Sequence, residues 1–168
     1  MYKPSDDTFL LAECIKDLSG DYALDICTGS GYIASILSKN FKYVFATDID
    51  INALLYAKML YNNIQFICCK GASCLNRKFD LITLNPPYLP SNEIEDITID
   101  GGKEGVEVTL DIMSDCIRLM HNYTRMLIVS SSLANINKIL NLKDFKCKII
   151  RSKRIGFEDI VIIEARIR

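Results

Sequence analysis

The sequence predicts an α/β fold, with one seven-stranded and mostly parallel sheet, helices on both of its faces and an antiparallel hairpin at the C-terminal end. Two observations carry this prediction. Apolar runs of strand length alternate with helical patterns of 8 to 16 residues, the order expected of parallel strands that are covered on both faces. Beyond residue 144 the pattern changes to two strand-like segments separated by Gly156, which indicates a hairpin at one edge of the sheet.

The N-terminal half alternates helix and strand, beginning with a helix over residues 5–18. Its apolar side chains recur at helical spacing, Pro4 precedes it, and Ser19-Gly20 supplies a stop. Further helices are predicted over residues 32–37 and 52–61, the second with Asp50 as its N-cap. Strands are predicted over residues 22–26, 43–47, 64–68 and 79–84.

The second half begins where the fourth strand meets Asn85-Pro86-Pro87-Tyr88. Each proline removes a backbone donor and fixes φ near about −65°, so no hydrogen-bonded element continues through both. Asn85, which precedes a proline, is pushed towards an extended conformation. These residues therefore form a rigid corner that carries an amide and an aromatic ring, which we interpret as a functional site. After a polar loop over residues 90–104, we predict helices over 105–120 and 133–140 and strands over 125–130, 145–150 and 160–163.

Composition bounds the size and class of the protein. The 168 residues suffice for one domain with a sizeable core, so one domain is predicted over residues 1–168. The 21 acidic and 20 basic residues nearly cancel, so no global field singles out nucleic acid or a membrane as the partner. No apolar run approaches the roughly 18 residues that span a bilayer, and the N-terminus lacks the pattern of a signal peptide. We therefore expect a cytoplasmic protein.

The chain contains seven cysteines and a single histidine. An odd number of cysteines, spread through apolar segments, is typical of reduced and buried thiols rather than of a disulfide framework. No two cysteines have the CxxC spacing, so neither a metal site nor a Cys–His nucleophile pair is predicted.

Several polar or glycine-containing segments directly follow the predicted strands, and ligands bind beyond the carboxyl ends of strands in open α/β sheets. They are Asp25 with the Gly29/Gly31 turn, Asp48, Lys70-Gly71-Ala72 and Asn85. Glycines let the backbone approach a ligand, and the following helix offers its N-terminus to an anion. Asp48 lies 19 residues after Gly29, and a carboxylate suits the paired hydroxyls of a ribose.

By themselves these residues leave several interpretations open. Gly29-Ser30-Gly31-Tyr32-Ile33-Ala34 matches the dinucleotide fingerprint GxGxxA, with an acidic residue at about the expected distance. A nicotinamide enzyme is therefore one alternative. Plain structural roles are another, because a βα turn needs glycine and Asp48 could cap a helix.

Asp25 two residues before Cys27, taken together with Asn85-Pro86-Pro87-Tyr88, resembles the class I S-adenosylmethionine (SAM) methyltransferases with a Rossmann-like sheet. The second of these motifs is that of the enzymes that methylate exocyclic adenine nitrogens or glutamine amides. Over nearly its whole length the chain is similar to the short HemK-like enzymes of archaea and eukaryotes. Their opening motif corresponds to Tyr2-Lys3-Pro4-Ser5-Asp6-Asp7-Thr8-Phe9-Leu10-Leu11, and their loop after the catalytic motif to Asp100-Gly101-Gly102-Lys103-Glu104-Gly105.

This resemblance implies a substrate, a partner and roles for single residues. The implied reaction is N5-methylation of the glutamine in the Gly-Gly-Gln motif of class I release factors, usually with a small zinc-binding activator subunit. The N-terminal helix, within residues 1–20, is expected to pack over the cofactor site. Cofactor-binding roles are implied for Thr8, Asp25, Cys27, Gly29, Gly31, Asp48, Lys70 and Asn85. Catalytic roles are implied for Asn85, Pro86 and Tyr88, and substrate-binding roles for these three together with Pro87.

Two positions depart from the family pattern. Cys27 stands where the first glycine of the usual motif would be, so a side chain replaces bare backbone beside the cofactor. Lys70 stands near where many relatives place an acid beside the adenine, and lysine cannot accept a hydrogen bond.

Catalysis at the corner depends on how the corner orients the target amide towards the methyl group. An amide nitrogen is a poor nucleophile because its lone pair is delocalised into the carbonyl group. The Asn85 side-chain oxygen and the Pro86 carbonyl oxygen could each accept one N–H of the target amide, which would direct its lone pair at the methyl group. The same two oxygens would stabilise the positive charge that develops on the nitrogen. Tyr88 would pack on the flat amide or base.

Other functions are compatible with the same residues. A nucleic-acid adenine-N6 or guanine-N2 methyltransferase could use the same acceptor pair and is the main alternative. The sequence shows no strongly basic face, which favours protein. Six basic residues between positions 143 and 154 could contact RNA. The simpler interpretation is a solvated edge of the sheet, where lysines prevent pairing with another chain. An inert scaffold is disfavoured because Asp25, Asp48 and Asn85 are all present.

Overall fold

The structure is a computed structural model and describes residues 3–93 and 96–168. Its helices are α1 (Asp6–Ile15), α2 (Tyr32–Leu37), α3 (Ile51–Leu60), α4 (Glu107–Cys116) and α5 (Ile136–Leu140), with a short 3₁₀ helix at Ile117–Leu119. Its strands are β1 (Gly20–Ile26), β2 (Phe41–Asp48), β3 (Gln65–Cys68), β4 (Phe79–Leu84), β5 (Met120–Ser131), β6 (Phe145–Ile155) and β7 (Glu158–Ile167). Tyr2 of the opening motif and residues 94 and 95 of the predicted loop lie outside the described residues.

The seven strands form one sheet in the order β3-β2-β1-β4-β5-β7-β6. Strands β1 to β5 pair in parallel, whereas β7 runs antiparallel to both β5 and β6. The predicted fold class is therefore confirmed, including the antiparallel hairpin at one edge. Strand order reverses between β1 and β4, and their carboxyl ends flank the crevice in which sheets of this kind bind ligands.

Alternate residues of the central strand β1 enter two separate cores. Ala23 packs on one face with apolar residues of α1 and α2, and Leu24 and Ile26 pack on the other face with residues of α4 and α5. Because both faces are covered, the central strands read as continuous apolar runs in the sequence. Among the described residues, no helix is long and apolar enough to cross a membrane.

Several predicted segments have different boundaries in the structure. The helix predicted over 5–18 is Asp6–Ile15, the strand predicted over 125–130 is Met120–Ser131, and the helix predicted over 133–140 is Ile136–Leu140. The predicted helix over 105–120 ends at Cys116, because Met120 already pairs with Phe79 and the Thr124 hydroxyl donates to the Phe79 carbonyl oxygen at 2.5 Å. The hairpin strands are longer than predicted, and their pairing continues to Ile155 and Glu158. A register shift in β6 between Ile149 and Arg151 breaks the alternation by which its full length would have been recognised.

Candidate active site at the carboxyl ends of the parallel strands

Strand β4 ends at Leu84, and the corner formed by residues 85–88 follows it directly. Asn85, Pro86, Pro87 and Tyr88 all line one cleft of about 430 Å³, a volume within the usual range of ligand sites of about 300–1,000 Å³. Predicted cofactor residues line the same cleft, namely Cys27, Gly29, Asp48 and Lys70. The cleft therefore joins the corner to the ends of β1, β2 and β3.

A smaller recess adjoins the corner on the side of the N-terminal helix. Its lining includes Thr8, Asp25, Cys27, Gly29 and Asn85. The fold thus brings Thr8 and Asp25 together beside Asn85, although 60 residues separate Asp25 from Asn85 in the sequence. Gly31 has a different environment: a Cβ there would lie 3.0 Å from Ala57 and 3.2 Å from the Phe66 ring, so its missing side chain allows close helix packing.

The loop after the corner holds the corner backbone in place. The Leu89 amide donates to the Ile99 carbonyl oxygen at 2.9 Å, and the Gly101 amide donates back to the Leu89 carbonyl oxygen at 2.9 Å. A Cβ on Gly101 would lie 2.6 Å from the Pro87 carbonyl oxygen, and a Cβ on Gly105 would overlap the Tyr88 carbonyl oxygen. The glycines of this loop are therefore required by its close approach to the corner.

Asp7 is a residue of this site to which the sequence analysis assigned no role. Its side chain is 3% exposed and lines the main cleft. Its Oδ2 atom accepts hydrogen bonds from Asn85 Nδ2 at 3.3 Å and from the Tyr88 hydroxyl at 3.0 Å. Its Oδ1 atom accepts from the backbone amide of Thr8 at 2.6 Å. Asp7 lies within the opening motif, but that motif contains two adjacent acids, and acids are common in the first turn of a helix.

Asp48 organises the turn after β1. Its Oδ2 atom accepts from the Gly29 amide at 2.8 Å, and its Oδ1 atom accepts from the Asp50 amide at 3.0 Å. A carboxylate oxygen has more than one lone pair, so both oxygens can still accept a hydroxyl from a ligand. The Asp50 carboxylate accepts from the Asn52 amide at 2.9 Å, which confirms the predicted N-cap of α3.

Asp25 is 2% exposed at the end of β1. Burial raises the pKa of Asp25 from 3.8 to about 6, although hydrogen bonds to the carboxylate oppose this rise. The donors include the hydroxyls of Thr28 at 2.6 Å and Thr83 at 2.8 Å. The carboxylate is thus ionised at neutral pH and held rigidly, with lone pairs left for a cation.

The two positions that depart from the family pattern both have unusual surroundings. Cys27 adopts φ 59°, the left-handed conformation that glycine adopts without strain. Burial, with the nearby Asp48 and Asp25 carboxylates, raises the pKa of the Cys27 thiol above its ordinary value. Lys70 forms an ion pair with Asp111 on α4 at 2.7 Å, with both side chains largely exposed.

The lining of the cleft is mainly apolar, and its charged side chains are mostly acidic. Five of its lining residues are acids and one, Lys70, is a base that is already paired with Asp111. The acids are Asp7, Asp48, Asp50, Asp100 and Glu158. Such a surface attracts cationic ligands and repels the phosphate groups of a polyanion. In the described ranges 3–93 and 96–168, no cluster of three or more metal-ligating side chains is found.

The basic residues of β6 are largely paired within the molecule. Lys148 contacts Glu164 at 3.3 Å, and Arg154 contacts Asp159 at 3.0 Å. Arg151 and Lys153 reach across to acids of α1, at 3.2 and 2.9 Å. These pairs favour the interpretation of a charged sheet edge over that of an RNA-binding surface.

The sheet order, the glycine turn after β1 and the corner after β4 together define a class I methyltransferase. The chain belongs to the methyltransferase small domain family, whose sequence profile matches residues 5–155. A Methanocaldococcus jannaschii protein, provisionally named as a protein N5-glutamine methyltransferase, is 33% identical over 98% of this chain and 91% of its own length. A release factor glutamine methyltransferase from Bradyrhizobium diazoefficiens is 35% identical, but the match covers 52% of this chain and 32% of that enzyme.

Solved structures agree on the fold. The Mtq2 protein of E. cuniculi, in a Mtq2–Trm112 complex responsible for methylation of the eRF1 termination factor, superposes with a TM-score of 0.81. It covers 99% of this chain and 98% of its own, at 22% identity. A ribosomal protein L11 methylase from Lactobacillus delbrueckii subsp. bulgaricus superposes with a TM-score of 0.70 at 21% identity, over 95% of this chain and 77% of its own. At such identities the likeness shows the fold alone.

Proposed function

We propose that this methyltransferase transfers a methyl group from SAM to the side-chain nitrogen of a protein glutamine, in the Gly-Gly-Gln motif of a class I release factor. The observation that carries the proposal is the corner after β4. There Asn85 lines the cleft and its Nδ2 atom donates to Asp7, so its Oδ1 atom would remain as an acceptor for the substrate. The names of the relatives from M. jannaschii and B. diazoefficiens support glutamine as the substrate.

The cleft fits SAM in size and charge. SAM is a cation and supplies an electrophilic methyl group on its sulfonium sulfur when it is bound. Asp48 would accept the ribose hydroxyls, since its oxygens retain lone pairs after bonding Gly29 and Asp50. Asp25 and Thr8, with the backbone of Cys27, would hold the charged methionine end, and Gly29 would shape the turn beside it. Gly31 lines neither the cleft nor the recess, and its predicted role would be limited to close packing of the turn. Lys70 also lines the cleft, and if the adenine lay beside it, its ammonium group could not accept a hydrogen bond from the adenine amino group.

The corner residues would act on the substrate by orientation. Asn85 Oδ1 and the Pro86 carbonyl oxygen would each accept one N–H of the glutamine amide, so that its lone pair points at the methyl group. As the N–C bond forms and the C–S bond breaks, positive charge moves onto the nitrogen, and the two oxygens stabilise it there. The methylated nitrogen then loses one proton to solvent. Tyr88 and Pro87 would pack on the flat amide group.

A nucleic-acid methyltransferase is the second candidate, because adenine presents a similar planar amino group to the corner. The charges of the cleft argue against it. Five acids line the cleft, and the bases of β6 are largely paired with acids, an arrangement that disfavours contact with a phosphate backbone. A polypeptide carries no such backbone charge, so the acidic cleft favours a protein substrate.

The proposed partner is a small zinc-binding activator subunit. Strand β3 is the edge of the sheet beside the cofactor end, and α3 next to it exposes apolar side chains. They are Ile51, Leu55, Tyr56, Met59 and Leu60, of which Met59 is 82% exposed. Contiguous apolar surface of this kind marks a protein interface. The E. cuniculi Mtq2 protein forms a complex with Trm112, which supports an activator subunit for this chain, and the exposed face of α3 is where we propose that it binds.

We further propose that the chain works as one domain over residues 1–168 and acts in the cytoplasm. All seven cysteines are unpaired thiols, as expected in a reducing compartment.

The partner proposal is tested by light scattering of the chain alone and after co-expression with a small zinc-binding subunit. We expect association or poor solubility alone, relieved by the subunit or by Leu55→Glu with Met59→Glu. A monodisperse and fully active lone chain would contradict it.

The function is tested by incubating the enzyme with methyl-labelled SAM and either a class I release factor or bulk RNA. We expect label in the release factor, on the glutamine of the Gly-Gly-Gln peptide identified by mass spectrometry. A release factor in which this glutamine is replaced by alanine is the control and should remain unlabelled. Label that enters RNA and not protein would favour the second candidate instead.

A further inference from the structure

We infer that Asp7 is a positioning residue that fixes which way the Asn85 amide faces, so that its oxygen and not its nitrogen meets the substrate. The inference rests on the proposed function in taking Asn85 as the acceptor of the target N–H. Asp7 is a buried acid beside the corner that the proposed reaction does not use directly.

The geometry divides the work of the Asp7 carboxylate between its two oxygens. Oδ1 serves the start of α1, where it accepts from the Ser5 hydroxyl at 2.7 Å and from the Thr8 amide at 2.6 Å. Oδ2 serves the corner, where it accepts from Asn85 Nδ2 at 3.3 Å and from the Tyr88 hydroxyl at 3.0 Å. Asn85 Nδ2 also donates to the Thr8 hydroxyl oxygen at 3.4 Å. Both partners of Nδ2 thus lie on the α1 side of the corner.

An asparagine amide can face either way, because its two ends have the same shape and opposite hydrogen-bonding character. A carboxylate only accepts hydrogen bonds, so it selects the orientation in which Nδ2 faces Asp7. The Oδ1 atom of Asn85 is then directed away from Asp7. The buried position of Asp7, 3% exposed, strengthens this selection because water does not screen the contact.

The competing interpretation is that Asp7 only stabilises the first turn of α1. Asp6 provides a matched comparison, since it is also an acid in that turn and α1 loses the same charge when either is replaced. Asp6 is exposed and pairs with Lys153 at 2.9 Å rather than with the corner. An effect specific to the corner should therefore follow from Asp7→Asn and not from Asp6→Asn.

Asp7→Asn should reverse the amide of Asn85. The Thr8 amide requires an acceptor, so the new side chain keeps its oxygen there and presents its NH₂ group to Asn85. Asn85 then turns its Oδ1 atom towards residue 7 and its Nδ2 atom towards the substrate, where a donor meets a donor. We expect kcat to fall by about 100-fold, the effect of losing one hydrogen bond to a transition state. Affinity for SAM should change by less than about fivefold, and Asp6→Asn should retain at least half of the wild-type kcat.

A second substitution separates orientation from helix stability. In Asp7→Asn with Asn85→Asp, the new carboxylate accepts from residue 7 through one oxygen and from the substrate through the other. We expect the double variant to be at least about tenfold more active than Asp7→Asn alone, a coupling expected only between groups in contact. Absence of this rescue, with Asp7→Asn impaired, would assign Asp7 to helix stability and overturn the inference.

The orientation of the Asn85 side-chain amide can also be measured by NMR, without an activity assay. In the wild-type protein, nuclear Overhauser contacts should join the Asn85 side-chain NH₂ protons to Thr8, and Asp7→Asn should abolish them while Asp6→Asn leaves them intact. Retained contacts in Asp7→Asn would overturn the inference even if no substrate were methylated. A wild-type enzyme that labels glutamine, with Asp7→Asn as active as Asp6→Asn, would overturn it while the proposed function stands.

Discussion

The two ends of the cleft are built in different ways. At the corner end, the buried Asp7 carboxylate accepts hydrogen bonds from Asn85 and Tyr88. The backbone of Gly105 packs closely against the Tyr88 carbonyl oxygen. At the cofactor end, Cys27 adopts a strained φ and Lys70 turns away to an ion pair on the surface. The corner end thus tolerates little change, whereas the cofactor end already contains two departures from the family pattern.

This difference follows from what each end has to do. Methyl transfer depends on the direction of a lone pair, so an error of a fraction of an ångström at the corner lowers the rate. SAM binding sums many weaker contacts over a large ligand, so the loss of one contact changes affinity modestly. We therefore expect substitutions at the corner end to lower kcat, and substitutions at the cofactor end to change affinity or stability.

The largest expected effect is at the corner itself. Asn85→Ala removes one of the two acceptors for the target amide, so we expect kcat to fall by at least about 100-fold. Single-turnover rates with labelled SAM and release factor would measure this loss, and calorimetry would show SAM affinity changed much less. Asn122→Ala, an exposed position near the start of β5, is the control and should leave turnover unchanged. Near-normal turnover of Asn85→Ala would remove the distinction between the two ends.

Gly105→Ala should show how tightly the corner is held. A Cβ at Gly105 would overlap the Tyr88 carbonyl oxygen, and the residue has φ 71°. Strain and overpacking together should lower the free energy of unfolding by about 3–5 kcal/mol, with loss of activity at temperatures where the protein remains folded.

Gly156→Ala is the matched control for this substitution. Gly156 has a similar φ of 59°, but a Cβ there would meet nothing within 4 Å. Only the conformational strain applies, so we expect a loss of about 1 kcal/mol and unchanged activity. Urea denaturation of both variants measures the difference, and equal losses would mean that the loop does not press on the corner.

Much of this fold could be predicted from the sequence, because its central strands are buried on both faces and appear as uninterrupted apolar runs. The corner was also predictable, because two consecutive prolines lack the N–H donors that a strand needs and therefore end the hydrogen-bonded pairing of β4. The full length of β6 was not predictable, because the shift between Ile149 and Arg151 moves its side chains out of simple alternation.

The side-chain contacts that hold the site in place could not be predicted from the sequence, for a different reason. Asp7 contacts Asn85 across 78 positions of sequence, and nothing in the first turn of α1 distinguishes it from Asp6. The partner of Lys70, Asp111, lies on a helix whose outer face gives no sign of the pairing. Local pattern identifies residues that break regular structure, but not acids whose role depends on where a distant element packs.

Asp25→Asn tests the cofactor end and should separate stability from binding. The pKa of Asp25 is raised from 3.8 in the unfolded chain to about 6 in the folded protein, so folding favours the protonated carboxyl group. This contribution to the free energy of unfolding is fully present below pH 3.8 and is lost as the pH rises through about 6. The difference of about two pKa units corresponds to roughly 3 kcal/mol. Relative to the wild type, the free energy of unfolding of Asp25→Asn should therefore increase between about pH 4 and 7.

The affinity for SAM should change in the opposite direction. Asparagine presents no negative charge to the ammonium group of SAM, so we expect binding at pH 8 to weaken about tenfold, with kcat at saturation nearly retained. Wild-type affinity should itself fall below about pH 6, as Asp25 takes up a proton. Calorimetric titrations across this pH range would measure both effects. A wild-type affinity that is constant down to pH 5 would place the ammonium group elsewhere.

The smallest expected effect is at Cys27. Glycine at this position would relieve about 1–2 kcal/mol of left-handed strain, and the greater freedom of glycine in the unfolded chain would offset about 0.5–1 kcal/mol of that gain. Cys27→Ala is the control, because it removes the thiol but keeps a Cβ at φ 59°. Thermal unfolding should therefore rank Cys27→Gly above Cys27→Ala by about 1 kcal/mol, with SAM affinity equal to that of the wild type or higher. A less stable glycine variant would mean that the thiol packs usefully, and that the cofactor end is as closely fitted as the corner.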